Sequence, residues 1–157
     1  MSTSLSAQTN LILSAQTNLI LSSYKHWLGK DLVPSELSQE EKVKALYEAP
    51  FVVVSHGIEA DPIFNYANLC AQKLWEVSWD DFMQMPSKKS VEASLRDDRL
   101  KLLNSLNNTG YSNAYRGTRI SSSGIRFDII DACVFNLIDE TGNYKGQAAT
   151  FENWEFL

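Results

Sequence analysis

Apolar residues in the first part of the chain recur at helical spacing. From Asn18 to Leu32 the run NLILSSYKHWLGKDL carries them at positions 20, 21, 24, 27 and 28, and Gly29 supplies a stop, which predicts a helix. Ser38-Gln39-Glu40-Glu41 then has the capping-box form, in which the Ser hydroxyl and the Glu carboxylate each take up a free backbone N–H at a helix start. A second helix from Gln39 to Glu48 follows, closed by Pro50, whose ring pushes the preceding residue out of the α region.

The period then changes. Phe51-Val52-Val53-Val54 is a short β-branched run, and the turn-like Glu59-Ala60-Asp61-Pro62 separates it from a second strand, Ile63 to Tyr66. Asn68 stands where that strand must become a helix, and its side-chain oxygen is suited to cap the first turn, a role worth about 1 kcal/mol. Residues 69–76 and 79–84 predict short helices ending at Met85-Pro86. A longer helix opening at Ser90 places Val91, Leu95, Leu102 and Leu106 on one face and ends at Asn107-Asn108-Thr109-Gly110. The remaining 47 residues read as three strands, Tyr111–Ser121, Ile125–Asp139 and Tyr144–Phe156, split by clusters of turn formers, which implies an antiparallel meander.

Upstream of these elements LSAQTNLI occupies residues 5–12 and again 13–20, letter for letter. An eight-residue repeat advances about 80° past two helical turns, so it does not hold one face. The expected organisation is a tolerant N-terminal tail over 1–17, a helical cap over 18–50 and a main domain over 51–157; the alternative for the repeat is an amphipathic helix that docks or dimerises.

Composition narrows the function. A chain of 157 residues is one domain in size, and a net charge of −5 with no basic cluster beyond Lys88-Lys89 lacks the footprint that holds a phosphate backbone, so no nucleic-acid partner is expected. No apolar run reaches the length of a membrane span, and no Lys or Arg precedes the apolar N-terminal residues as a secretory signal requires. Cys70 and Cys133 are too few for a disulfide framework and lack metal-ligand spacing. A cytoplasmic protein with no membrane partner and no metal site is expected.

The element order resembles the PAS domain, a five-stranded antiparallel sheet with helices on one face, here preceded by N-terminal helices. SHGIEADPIFNYANLCAQKLWE, MPSKKS, LRDDRLKLLNSLNNTGY, YRGTRISSSGIRFDIIDACVFNLIDETG and GQAATFENWE, in that order, resemble the MEKHLA domain. That PAS-like module is found at the C-terminus of plant homeodomain leucine-zipper transcription factors and as short standalone bacterial proteins. The resemblance spans residues 18 to 156 and implies an α+β fold and a sensory or interaction role, with a small-molecule cup between sheet and helices or pairing through the outer sheet face. It supplies no catalytic residue and leaves any cofactor unknown.

Light-sensing flavin domains of the LOV type carry an Asn-Cys-Arg-Phe-Leu-Gln word that is absent here, and residues 90–109 contain no His to serve as a haem ligand. On the strand from Arg126 to Ile138, simple alternation puts Phe127, Ile129, Cys133, Phe135 and Leu137 on one face with Asp131 among them. A carboxylate there needs a partner, such as Arg119, a bulge that turns it outward, or a ligand. The opposite face, with Ile130, Ala132 and Val134, then needs cover from the N-terminal helices or a second subunit. Small residues around Gln147 leave space against the sheet, and that amide offers both a donor and an acceptor.

The ligand-binding candidates are thus Tyr66, Asn68, Trp75, Arg119, Asp131 and Gln147. Two rival readings are a small cone-shaped α+β enzyme of the dehydratase or isomerase type using His56 and Asp131, and a ligand-free interaction domain. Homodimerisation is expected through the N-terminal helices or the outer sheet face.

Overall fold

A computed structural model describes residues 7–90 and 109–157; the long helix expected beyond Ser90 lies outside the described residues. The chain opens with α1 (Ala7–Leu28) and α2 (Gln39–Tyr47) and continues into strands β1 (Val52–His56) and β2 (Phe64–Ala67). Helices α3 (Leu69–Trp75) and α4 (Trp79–Phe82) and a 3-10 turn at Ser87–Ser90 come next. Strands β3 (Tyr111–Ile120), β4 (Arg126–Ile138), β5 (Tyr144–Phe151) and β6 (Asn153–Phe156) follow. The sheet order is β2-β1-β5-β4-β3 with all neighbours antiparallel, and β6 pairs with β4.

The local signals act as their chemistry demands. Ser38 caps α2, its Oγ accepting the Glu41 backbone N–H at 3.2 Å, and the Glu41 carboxylate closes the capping box by accepting the Ser38 N–H at 2.9 Å. The sheet gains a sixth strand because the last strand read from the sequence bends at Glu152, leaving β5 paired with Cys133–Ile138 of β4 and β6 paired with Phe127–Ile130.

α1 covers the outer face of the sheet and begins well before the expected helix start. Leu13, Thr17, Ile20 and Tyr24, at spacings of four, three and four residues, are all buried. Residues 7–17, expected in a tolerant tail, are therefore helical, and the second octad is part of the core. Its internal Leu-x-x-x-Thr-x-x-Ile spacing is one helix face, a feature hidden by the period of the repeat itself. In the first copy, Leu11 and Ile12 are 73% and 54% exposed.

The largest departure from simple alternation lies in β4. Asp131 sits at φ +52° and Ala114 of β3 at φ +61°, and the β3–β4 register slips once on each side of the Tyr115–Ala132 pair. Each slip is a bulge, and one extra residue inverts the faces of everything beyond it. Phe127 and Ile129 consequently share the inner face with Ala132, while Cys133, Phe135 and Leu137 pack outward against α1. The single apolar face expected for this strand is two half-faces joined at Asp131. The N-terminal helix does cover the sheet, but over Cys133, Phe135 and Leu137 rather than over Ala132 and Val134.

Two hydrogen-bonded ties fix α1 in place. Ser23 Oγ accepts the Ile138 N–H at 3.0 Å, and Trp27 Nε1 donates to the Asn136 carbonyl at 2.8 Å. Gly146, at φ +127°, lets β5 pass against β1: a Cβ there would lie 2.0 Å from the His56 carbonyl oxygen.

Candidate functional site

The inner face of the sheet and the short helices enclose a cavity of about 70 Å³. β1 contributes Val54 and His56, β2 contributes Phe64, α3 contributes Trp75, and Ser90 stands at the end of the 3-10 turn. Tyr115 and Arg119 come from β3, Ile129, Ala132 and Val134 from β4, and Gln147, Ala149 and Phe151 from β5. The bulge at Asp131 is what brings Ala132 and Val134 to this side, so the small side chain of Ala132 opens space that strict alternation would have filled with Cys133 and Phe135.

Trp75 forms the floor. Its indole meets Phe82, Phe127 and Phe151 edge-on, with centroids 6.1, 5.2 and 6.2 Å away. The residue is 2% exposed, and its Nε1–H has no acceptor among the described residues. A buried donor left in this state costs the desolvation of the group, so it marks a place where an acceptor is wanted. The helix that carries Trp75 is tied to the β3–β4 hairpin: Ser122 N donates to the Trp75 carbonyl at 2.9 Å, and the Ser121 and Ser123 hydroxyls donate to the Glu76 carboxylate. Those hydroxyls hold the Glu76 carboxyl below the usual carboxylate range.

Arg119 and Tyr115 form the charged wall. Arg119 donates through Nη2 to the Tyr115 hydroxyl oxygen at 3.2 Å and through Nη1 to the Thr118 carbonyl at 3.0 Å, with its guanidinium carbon 5.6 Å from the Tyr115 ring centre. Gly117 lies between them on the same strand, and a Cβ there would stand 2.3 Å from the Tyr115 hydroxyl oxygen and 3.0 Å from Arg119 Nη1. The glycine makes room for both side chains to meet. Arg119 has no ion-pair partner among the described residues, so the salt bridge to Asp131 weighed from the sequence does not form.

Gln147 Nε2 donates to Asn136 Oδ1 at 3.0 Å across the β4–β5 pair. His56 faces Gln147 in the β1–β5 register, and its Nδ1 lies 3.0 Å from the Gly57 carbonyl, an acceptor to which Nδ1 donates a proton.

Of the six residues singled out from the sequence, Trp75, Arg119 and Gln147 come together at the cavity, and Tyr66, Asn68 and Asp131 do not line it. Tyr66 is fully buried on the outer side among Tyr47, Val53 and Trp79, where burial pushes its phenol pKa far up. Asn68 is a cross-link rather than a ligand contact. Its Oδ1 accepts from Ala71 N, capping α3, and from Val53 N, both at 3.1 Å, while Nδ2 donates to the carbonyls of Leu46 at 3.1 Å and Phe51 at 2.8 Å. Asp131 is exposed on the outer side, in a shallow groove with Lys30, Asn113 and Cys133. His56 and Asp131 therefore stand on opposite faces of the sheet and cannot serve one another as acid and base. Sequence reasoning missed Tyr115; the alternation Tyr115-x-Gly117-x-Arg119, with Gly as the space-maker, was the signal.

Neither cysteine lines the cavity. Cys133 lies in the outer groove, where burial pushes its thiol up to about 11, and Cys70 sits at the start of α3 with its Sγ 3.8 Å from the Pro50 carbonyl and its pKa raised by burial.

The strand order, the helices between the second and third strands, and the cavity against the inner face are accompanied by a match to the model of the MEKHLA domain over residues 14–156. The chain belongs to the MEKHLA domain family. Among solved structures this MEKHLA chain is similar to the PAS domain of a protein from Colwellia psychrerythraea, at 12% identity and a TM-score of 0.62 over 71% of this chain and 92% of that one. It is also similar to an RNA-binding light-oxygen-voltage receptor, at 13% identity and a TM-score of 0.64 over 77% of this chain and 34% of that one. A light-oxygen-voltage domain studied with a flavin analogue aligns at 13% identity and a TM-score of 0.56 over 74% and 84% of the two chains. At these identities the likeness establishes the PAS fold of the MEKHLA chain. A search of the curated proteins finds no match. Among the described residues no helix is long and apolar enough to cross a membrane.

Proposed function

We propose that this MEKHLA domain is a sensory module that binds a small organic molecule in the cup between the inner sheet face and the helices. The observation that carries this reading is the Trp75 indole N–H, buried at the cavity, beside a half-buried Arg119; among the described residues the first has no acceptor and the second no counter-charge. A ligand that brings acceptors and negative charge satisfies both groups at once. The cavity of about 70 Å³ suits a molecule of few heavy atoms. Neither thiol reaches it, so a cysteinyl adduct of the light-sensing kind is not the mode of binding.

Native mass spectrometry of the full chain, prepared without denaturation, is expected to show an added small mass that is lost in Ala149→Leu, which fills the cup. A chain that stays at its bare mass in the presence of a metabolite mixture, with no cup amide moved in NMR spectra, would overturn the reading.

A second reading concerns self-association through the N-terminal helix, favoured by the exposed Leu11 and Ile12 of α1. Removing the first 32 residues does not test it, because the cut takes away Leu13, Ile20 and Tyr24 and uncovers the outer core. The double substitution Leu11→Ser with Ile12→Ser leaves that core intact, and it is expected to convert a dimer to a monomer in sedimentation. An unchanged sedimentation coefficient would remove this reading.

A further inference from the structure

We infer that the molecule held in the cup is a short-chain aliphatic monocarboxylate, with Arg119 as its charge partner; this rests on the ligand-cup reading above. Arg119, Tyr115 and Trp75 at the cavity have protons to give a ligand. Arg119 spends one N–H on the Thr118 carbonyl and one on the Tyr115 oxygen, and the rest of its five donors remain. The Tyr115 hydroxyl accepts from Arg119 and so keeps its own proton to donate. The Trp75 Nε1–H is a donor only, and it is buried without an acceptor. A ligand matching this set brings acceptors and negative charge, and a carboxylate offers the planar pair of oxygens that a guanidinium fork binds best.

The remainder of the lining limits the charge to one and the body to hydrocarbon. Among the described residues no Asp, Glu, Lys or second Arg lines the cavity, and Val54, Phe64, Ile129, Val134 and Phe151 supply its walls. A second carboxylate laid against those apolar walls would be far from Arg119, and burying a charge without a cationic partner is costly. Size sets the chain length. A cavity of about 70 Å³ is roughly half the ~150 Å³ that admits benzene, which points to an alkyl chain of a few carbons and not to an aromatic acid.

The test is a titration of the full-length protein with acetate, propionate, butyrate, propionamide and isobutanol, followed by amide chemical shifts and by melting temperature. Propionate or butyrate is expected to bind at least about tenfold more tightly than propionamide, since a hydrogen bond to a charged group is worth more than its neutral counterpart. Arg119→Gln is expected to remove that preference and Arg119→Lys to restore part of it. Propionamide binding as well as propionate, or Arg119→Gln leaving propionate affinity unchanged, overturns the inference; the wild-type comparison stands even if a variant fails to fold. Isobutanol moving the cup amides while the acids leave them still overturns the ligand class and leaves the cup reading standing. Neither kind of probe moving them overturns both.

Discussion

On the outer face of the sheet, α1 lays Ile20 and Tyr24 over Phe135 and Leu137, and every one of these is buried, with Tyr24 edge-on to Phe135 at 5.5 Å. On the inner face, the same sheet leaves a cavity and, among the described residues, a cation without a counter-ion and an indole N–H without an acceptor. On the outer face the Tyr66 hydroxyl is buried without a hydrogen-bond partner among the described residues, but several other polar groups are paired. Gln16 of α1 donates to Ser55 Oγ at 3.0 Å and to Asn65 Oδ1 at 3.2 Å, and Ser23 and Trp27 tie to the β4 backbone. The difference separates a packed core that fixes the sheet from a face held open by small residues, Ala132 and Ala149, placed between larger ones.

The largest effect is expected at the node that belongs to neither face. Asn68→Ala removes four hydrogen bonds, three buried and one partly buried, that join α2, β1 and α3, and it should cost about 3 kcal/mol in urea unfolding, because the partners left behind are backbone groups largely shut off from water. That is well above the ~1 kcal/mol of a cap alone, and a measured loss of that smaller size would reduce Asn68 to its capping role.

The neighbouring residues Ala148 and Ala149 sharpen the contrast between faces. Ala148 pairs with Phe135 in the outer core and is 2% exposed, while Ala149 pairs with Val134 at the cavity. Ala148→Leu should overpack and lower stability by about 2 kcal/mol, and Ala149→Leu should be near neutral because the cup accepts the added carbons. Equal losses in thermal unfolding would show that the two faces are equally full.

A smaller effect is expected at the bulge that separates the half-faces. Asp131→Gly should leave stability unchanged or raise it by up to about 1 kcal/mol, and Asp131→Val should lower it by about 1–2 kcal/mol, since a β-branched residue resists the left-handed backbone. A Val variant as stable as the parent would mean that the strand can revert to plain alternation.

Much of the fold was legible because its signals are local. The capping box at Ser38, the β-branched run at Val52–Val54, the cap at Asn68 and the turn formers around Gly124 and Gly142 each act within a few residues, and the elements begin and end close to them. The octad was misread because its repeat period was weighed in place of its internal spacing, Leu13-Thr17-Ile20, which alone decides what a helix buries. Of the candidate site, Trp75, Arg119 and Gln147 were legible as polar or aromatic groups on short strands and helices. Asp131 was not, because nothing in FDIIDACVF says that its backbone will turn left-handed.

By itself the sequence determined most of the described helices and strands and their order, and through it the family and the PAS fold, since periodicity and turn chemistry depend on neighbours along the chain; the start of α1 and the break between β5 and β6 it did not. Only the tertiary structure decided which side of β4 each residue serves. Paired bulges at Ala114 and Asp131 are set by how β3, β4 and β6 register against one another, and one added residue on a two-residue repeat exchanges core for cavity.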